Sequence, residues 1–546
     1  MNILDYAVII FFSLLMVVAG MSFSNRGSDM KSYFAAGGAV PWPINGLSLY
    51  MSFFSAGTFV VWGSIAYQLG WVAITIQSGI CIAGFIVALA IAPRWRGMNV
   101  LTAAEFVRKR LGPKTQKYYT YIILALSLAY TGAFLYPVAK IVNVATGWPI
   151  NPCVIGLGTL ILIYTIAGGL WAVIVTDVLQ FVILSAVVVI VVVLSLNNVG
   201  GLERFIAKTP ENFGKWTSGE YSWGFMIAFA IYNMIFIGGN WAYVQRYTSV
   251  KSPVDAKKVG LTFAILYLVS PVLWMLPPMI YKVIDPNLTG IQAEEAYMLM
   301  CKKVLPVGML GLMLGGMVFA TASSVNTTLN MAASVITNDL FKVLKPNATN
   351  KKIMFVARFS TMIFGLGTIA VALLVPSLGG IVNVVLSVGA VTGCSLYGPP
   401  IWALFSKRIE GRAVLIITLV SLALNIGVLV FYPLNRANEM LLGALLPFVF
   451  LMGHEIYLIL RKKERISIEY LRFRDGLLSD PLPMNEDSLQ NSFGLKVLSL
   501  TLAVVGTLII GLGFISSGHI YLITTIGLLI LTVALGIHPS IKLKRS

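Results

Sequence analysis

Fifteen apolar runs divide the chain almost from end to end, each close to the roughly 20 residues that a helix needs to cross a bilayer. They fall at about 3–24, 45–69, 75–95, 119–146, 152–171, 173–197, 223–246, 259–285, 305–341, 353–375, 380–405, 413–432, 438–460, 495–515 and 519–537. A backbone in lipid must satisfy its own N–H and C=O groups, and apolar runs of this length do so as helices. The expected fold class is therefore an all-α membrane protein with about 15 transmembrane helices. Composition agrees. Of 546 residues 58% are hydrophobic and only 11% charged, against about 25% charged in a soluble domain.

The net charge of +18 invites a nucleic-acid reading, because basic excess can track phosphate. Placement excludes it, since the Lys and Arg residues lie in short clusters between apolar runs. With the N-terminus outside, the inner segments are the loops near 25–44, 93–118, 246–258, 342–358, 406–412 and 461–496, with the tail 538–546. These hold 31 of the 39 Lys and Arg residues. Outer segments hold Arg204, Lys208, Lys215, Lys282, Lys302, Lys303 and Arg436, and Lys140 lies within a span. Cytoplasmic loops favour Lys and Arg, and a missed helix would swap the sides downstream of it. The bias predicts an integral protein of the plasma (inner) membrane, N-terminus outside and C-terminus cytoplasmic. The start, Met1-Asn2-Ile3-Leu4-Asp5, has no basic n-region or small-residue cleavage site, so 3–24 reads as a retained helix.

The longest polar stretch, 461–494, reads as a cytoplasmic linker opening on Arg461-Lys462-Lys463-Glu464-Arg465. It serves as a positive-inside anchor or attracts lipid head groups. The cysteines Cys81, Cys153, Cys301 and Cys394 have no metal-ligand or redox spacing, and three histidines, His454, His519 and His538, build no zinc or haem site. No catalytic residues and no cofactor are expected.

Polar residues inside a span are costly and mark functional positions. Four places stand out. The run Ala320 to Asn330 carries seven polar side chains in its last ten residues, and Ala320, Ser323, Ser324 and Thr327 share one helix face. Oxygens in that number suit a hard monovalent cation; helix–helix hydrogen bonding is the plainer reading. Asp177, in Thr176-Asp177-Val178-Leu179-Gln180, must be paired, protonated or cation-bound, unless it serves only to start a helix. Ser52-Phe53-Phe54-Ser55-Ala56-Gly57-Thr58 and Gly238-Gly239-Asn240-Trp241-Ala242-Tyr243 put Gly and small polar residues in mid-span. That pattern fits either a packing notch or a discontinuous helix, whose freed carbonyls can hold a cation.

The last two places lie in the second and seventh spans. Five spans separate them, so the two helices run in opposite senses, as an inverted repeat of five helices requires. The expected organisation is an extra helix and first loop at 1–44, repeats at 45–197 and 223–406 joined by an outer loop at 198–222, peripheral helices at 407–460, the linker at 461–494, and two terminal helices with a basic tail at 495–546. Lys140 snorkels to the outer head groups or serves as countercharge for an anionic substrate.

Several motifs together resemble the sodium:solute symporter family, which includes sodium/glucose, sodium/iodide and sodium/proline symporters. They are Tyr164-Thr165-Ile166-Ala167-Gly168-Gly169-Leu170-Trp171-Ala172 followed by Thr176 to Gln180, then Val244-Gln245-Arg246-Tyr247, and Ala320 to Ser324 running on to Ile336-Thr337-Asn338-Asp339-Leu340-Phe341. The resemblance covers about 50–405 and implies a leucine-transporter-type inverted five-helix repeat with peripheral helices. It implies a main sodium site made of the backbone carbonyls of Met51, Phe54 and Ala320 and the hydroxyls of Ser323 and Ser324. Some members bind a second sodium through the motif's aspartate, here Asp177 with Ser323, Asn326 and Thr327; Asn326 stands where such members carry serine. Solute positions that match are Thr58, Gln77, Asn240 with its neighbour Tyr243, and Asn383 or Ser387. Gln77 replaces the acid of sugar-carrying members, and Ser52 to Ala56 looks more like the anion and monocarboxylate branch.

The resemblance thus implies a sodium-coupled symporter importing a small organic solute by alternating access. Its partners are that solute, sodium and the lipid bilayer, with no nucleic acid and no obligatory protein partner evident. A sugar or sugar derivative is the expected solute, and a monocarboxylate, another anion or an amino acid the alternative. A channel lacks its pore-loop repeat here. A membrane-embedded enzyme lacks its constellation, since Asp177 has no histidine near it in sequence.

Overall fold

The structure, a computed structural model, describes residues 1–22, 40–100, 102–167, 170–375, 381–432, 434–460, 466–479, 488–516 and 519–538. The Gly168-Gly169 turn, most of the loop 25–44 and the basic opening of the linker lie outside the described residues.

Helices carry almost the whole described chain. In order they are α1 (Ile3–Met21), α2 (Trp42–Phe53), α3 (Thr58–Leu69), α4 (Val72–Gly97), α5 (Ala103–Leu111), α6 (Pro113–Thr146), α7 (Ile150–Ala167), α8 (Leu170–Val199), α9 (Trp223–Gly239), α10 (Trp241–Thr248) and α11 (Pro253–Ile284). Then come α12 (Ala296–Val304), α13 (Met309–Val335), α14 (Asn350–Leu374), α15 (Ile381–Phe405), α16 (Gly411–Phe431), α17 (Arg436–Leu460), α18 (Ile468–Ser479), α19 (Ser488–Ile515) and α20 (Ile520–Ile537). Among the described residues eleven helices are long and apolar enough to cross a bilayer, and the bent pairs α2–α3 and α9–α10 bring the number to thirteen. The two remaining apolar runs form α7 and α15.

Local chemistry sets the ends. Thr102 and Ser252 accept from backbone N–H groups three residues on, at 3.1 Å each, and so cap α5 and α11. Gly147, at φ 78°, closes α6 through its N–H to the Asn143 carbonyl at 2.8 Å; a side chain there would be strained.

Helix α13 is the centre. Its apolar window is wholly buried, and it packs against α1, α2, α6, α8 and α14. Asp5 of α1 holds its start, accepting from the N–H groups of Gly308 and Gly311 at 2.8 and 3.2 Å. A Cβ on Gly311 would stand 2.2 Å from the Asp5 carbonyl oxygen, so glycine is what lets α1 lie against the centre.

The linker holds more structure than its polarity suggests. Part of it forms α18, which docks on α5 through Phe473 against Phe106, ring centroids 5.7 Å apart.

Candidate functional site

Both mid-span motifs are breaks. Helices α2 and α3 meet at 61°, and α9 and α10 at 60°. At the first, Phe54 takes an extended conformation, and its N–H is the last to bond back up the helix, to Tyr50. The next three N–H groups turn to side chains. Ser55 donates to Thr58 Oγ1 at 3.5 Å, Ala56 to Thr321 Oγ1 at 2.9 Å, and Gly57 to Ser55 Oγ at 3.2 Å. The Thr58 N–H reaches the Ser55 carbonyl. The carbonyls of Met51, Ser52, Phe53 and Phe54 thereby lose their helical partners. Ser324 Oγ, on α13, donates to two of them, Ser52 at 3.1 Å and Phe54 at 2.9 Å.

The second break is closed differently. Asn240 Oδ1 caps α10 by accepting from Ala242 N–H at 2.9 Å. The freed Gly238 carbonyl accepts from Trp95 Nε1 at 2.7 Å, and that of Ile237 from Tyr247 Oη at 3.3 Å. Gly239 packs so closely that a Cβ would stand 2.7 Å from Ile401. Indole and phenol serve the carbonyls here; at the first break the Ser324 hydroxyl does so, joined at the Ser52 carbonyl by the Tyr243 hydroxyl at 3.5 Å.

Beside the first break lies a fully buried polar chamber. Ser323 donates to Asp177 Oδ1, and Ser48 to Asp177 Oδ2 at 2.5 Å. Arg246, wholly buried, fills the rest, with Nη2 at 3.5 Å from Asp177 Oδ2. Asn326 turns to the next turn of its own helix and accepts from Asn330 at 2.9 Å.

On the other side of the break is a cavity walled by Phe53, Trp62, Tyr130, Phe134, Phe229, Tyr232, Phe236, Tyr243 and Tyr267, with Ser55, Thr58 and Asn233 as polar points. A smaller cavity adjoins it and reaches Ser52, Asn240, Ser324 and Thr328. Of the solute positions expected from sequence, Thr58 lines the first cavity, Asn240 the second and Tyr243 both. Gln77 and Ser387 line neither; Gln77 is buried with both amide atoms unpartnered among the described residues. The side chain of Asn383 lies outside the described residues. Lys140 pairs with Glu295 at 2.9 Å, ahead of α12, and is not a cavity residue. A separate cavity of ≈ 850 Å³ between α16 and α17 shares no lining residue with either break.

The aromatic wall is what sequence reasoning missed. Phe225, Phe229, Tyr232 and Phe236 recur at helical spacing on α9, which signals one face but not whether that face meets packing or a cavity.

Two oppositely running broken helices around a buried central helix define a secondary transporter of the leucine-transporter type. A solved Na+-coupled sialic acid symporter, in a substrate-bound outward-open state, superposes with a TM-score of 0.71 at 21% identity, covering 82% of this chain and 97% of that one. Mhp1, a nucleobase-cation-symport-1 family transporter, gives 0.54 at 15% identity, covering 82% and 99%. Within that class the chain belongs to the sodium:solute symporter family, whose model matches residues 33–420. It is thus a transporter and an integral membrane protein. Similar sequences include sodium/glucose cotransporter 1 of Mus musculus, 25% identical over 466 residues (75% of this chain, 69% of that one). Sodium/myo-inositol cotransporter 2 of Sus scrofa is 26% identical over 412 residues (67% and 60%), so less than two thirds of that relative is spanned. The sodium/glucose cotransporter of Vibrio parahaemolyticus is 26% identical over 422 residues (69% and 74%).

Proposed function

We propose that the chain is a sodium-coupled symporter that imports a small neutral solute, a sugar or sugar derivative, by alternating access. The observation that carries this reading is the set of carbonyls released at 51–54 beside the Ser323 and Ser324 hydroxyls. Hard cations take such uncharged oxygens as ligands. The ligands in this reading are the carbonyls of Met51, Phe54 and Ala320 and the hydroxyls of Ser323 and Ser324. Sodium replaces the bonds that Ser324 now donates, and turns its hydroxyl oxygen toward the ion.

Coupling follows from chain continuity. Residues 51–54 hold the ion, and Ser55, Gly57 and Thr58 line the cavity. An ion that pins the break to α13 also sets the solute pocket, so both ligands favour one conformation. Each charge moved down the membrane potential contributes about 2.3 kcal/mol per 100 mV.

The solute class rests on the cavity wall. It has aromatic faces and a few hydroxyl and amide groups, and among the described residues that line it there is no Asp, Glu, Lys, Arg or His. A carboxylate would seek the free N–H groups of a half-helix start, but those of Ala56 and Gly57 are engaged by Thr321 and Ser55. A neutral polyol is favoured over a monocarboxylate or amino acid, and the sugar and inositol names of the relatives support that choice. In this reading 45–197 and 223–406 are the two repeats. The protein lies in the plasma (inner) membrane with its N-terminus outside and C-terminus cytoplasmic, as the basic loops indicate.

The test is uptake of labelled glucose, myo-inositol, proline and lactate by proteoliposomes in sodium and in potassium media. Saturable uptake of a sugar or cyclitol in sodium alone is expected. Equal uptake in potassium overturns the coupling, and uptake restricted to lactate or proline overturns the solute class.

A further inference from the structure

Away from both breaks, the cavity of ≈ 850 Å³ between α16 and α17 is charged at one end and apolar at the other. On α16 its wall passes from Arg412 to Ile416, Ile417 and Val420, from a guanidinium to apolar side chains within two turns, about 12 Å. On α17, Glu455 accepts from Arg408 Nη1 at 3.1 Å, which sets the neighbouring His454 level with the start of α16; Phe450 lies one turn further in. Only 33% and 22% of the apolar windows of α16 and α17 are buried, so most of their surface meets the bilayer, and Ile416 and Val420 are exposed. Charges at the membrane surface above an apolar wall at acyl depth suit one class of ligand, a phospholipid.

The charges narrow the head group. Among the described residues the side chains of Arg412 and Glu410 have no ion-pair or hydrogen-bond partner, and Arg408 spends only Nη1. Guanidinium forks match the paired oxygens of a phosphodiester. Glu410, in the same wall, repels a wholly anionic head group and accepts from an ammonium group. A choline head group has no N–H to donate. We infer that this cavity binds one phosphatidylethanolamine from the leaflet at the start of α16, the cytoplasmic leaflet in the orientation proposed above. Its phosphodiester lies on Arg408 and Arg412, its ammonium on Glu410, and one acyl chain runs past Ile417, Val420 and Phe450. Both helices pack on α15, so the lipid fills the gap left between two helices that share a support.

The test is native mass spectrometry of the purified full-length protein, delipidated in detergent and then mixed with equimolar dioleoyl phosphatidylethanolamine, phosphatidylglycerol and phosphatidylcholine. The wild type is expected to retain one phosphatidylethanolamine per chain in preference to the other two. Arg412→Gln is expected to weaken that retention roughly ten- to a hundredfold, the scale of hydrogen bonds to a charged group. Val420→Trp, which fills the apolar end and leaves the charges in place, is expected to lose the lipid as well. Glu410→Gln is expected to move the preference toward phosphatidylglycerol. Equal retention of the three lipids, preference for either of the others, or an unaltered preference in Glu410→Gln would overturn the inference. So would undiminished retention in folded Arg412→Gln and Val420→Trp, or a dimer of the chain that Val420→Trp dissociates, which would make a second copy the occupant. Each of these outcomes leaves the sodium-coupled reading standing.

Discussion

Thr321 and Ser324 hold the break in α2 open, one by accepting and one by donating. Thr321 takes the orphaned N–H of Ala56, and Ser324 bridges two orphaned carbonyls. Both lie on α13, so the break is stable only while it touches the central helix. Thr321→Val keeps the shape and removes the acceptor, leaving a buried N–H unpaired. It is expected to lower unfolding stability by about 1–3 kcal/mol, with Thr321→Ser near wild type; equal thermal unfolding of the valine variant and the wild type would contradict this. The hydroxyls were legible in sequence because seven polar side chains in ten residues have no cheap place in lipid. Arg246 was not. Its motif was visible, but a long side chain can end a full turn from its Cα, and only the bend at Asn240 decides where.

At the scale of elements, both breaks could be read from glycine and small polar residues in mid-span. Which break keeps free carbonyls could not, because Trp95 and Tyr247, which close the second one, lie outside the motif. The cavity wall was hidden for a related reason, since aromatic residues in a span look like packing until a gap is found beside them. Helix α18 was read as plain linker. Glu469 near its start accepts from Gly411 N–H at 2.8 Å, and Arg110 beneath it lies under the Tyr470 ring, 5.2 Å from its centroid. Burial pushes the Glu469 carboxyl above its usual range; the Gly411 bond opposes that shift, Glu410 adds to it, and Arg110 and Arg472 oppose it. A carboxyl raised in the folded state contributes stability below its unfolded pKa and loses it as pH rises through the folded value. Glu469→Gln, which mimics the protonated form, is therefore expected to gain on the wild type as pH rises from the usual glutamate range of about 4 into the neutral range. Thermal unfolding across that range checks it, and a flat or reversed difference contradicts the assigned shift.

For the whole molecule, spacing of apolar runs carried most of the fold, because the bilayer leaves a spanning segment few options. Sidedness rests on the basic loops and is open to direct labelling. The four native cysteines are buried, so background is low. A cysteine in place of exposed Lys208 is expected to react with an impermeant maleimide in intact cells, and one in place of exposed Lys109 only after permeabilisation; the opposite pattern reverses the orientation. The central claim is that one sodium sits between the α2 break and the serines of α13 and so drives uptake. The most direct measurement is the sodium concentration that half-activates solute uptake in proteoliposomes, compared between the wild type and Ser324→Ala. Hydrogen-bond-scale losses at a charged group of about 1.5–3 kcal/mol predict a rise of roughly ten- to a hundredfold in that concentration, with the variant still folded in the membrane. An unchanged sodium requirement in Ser324→Ala would contradict the account.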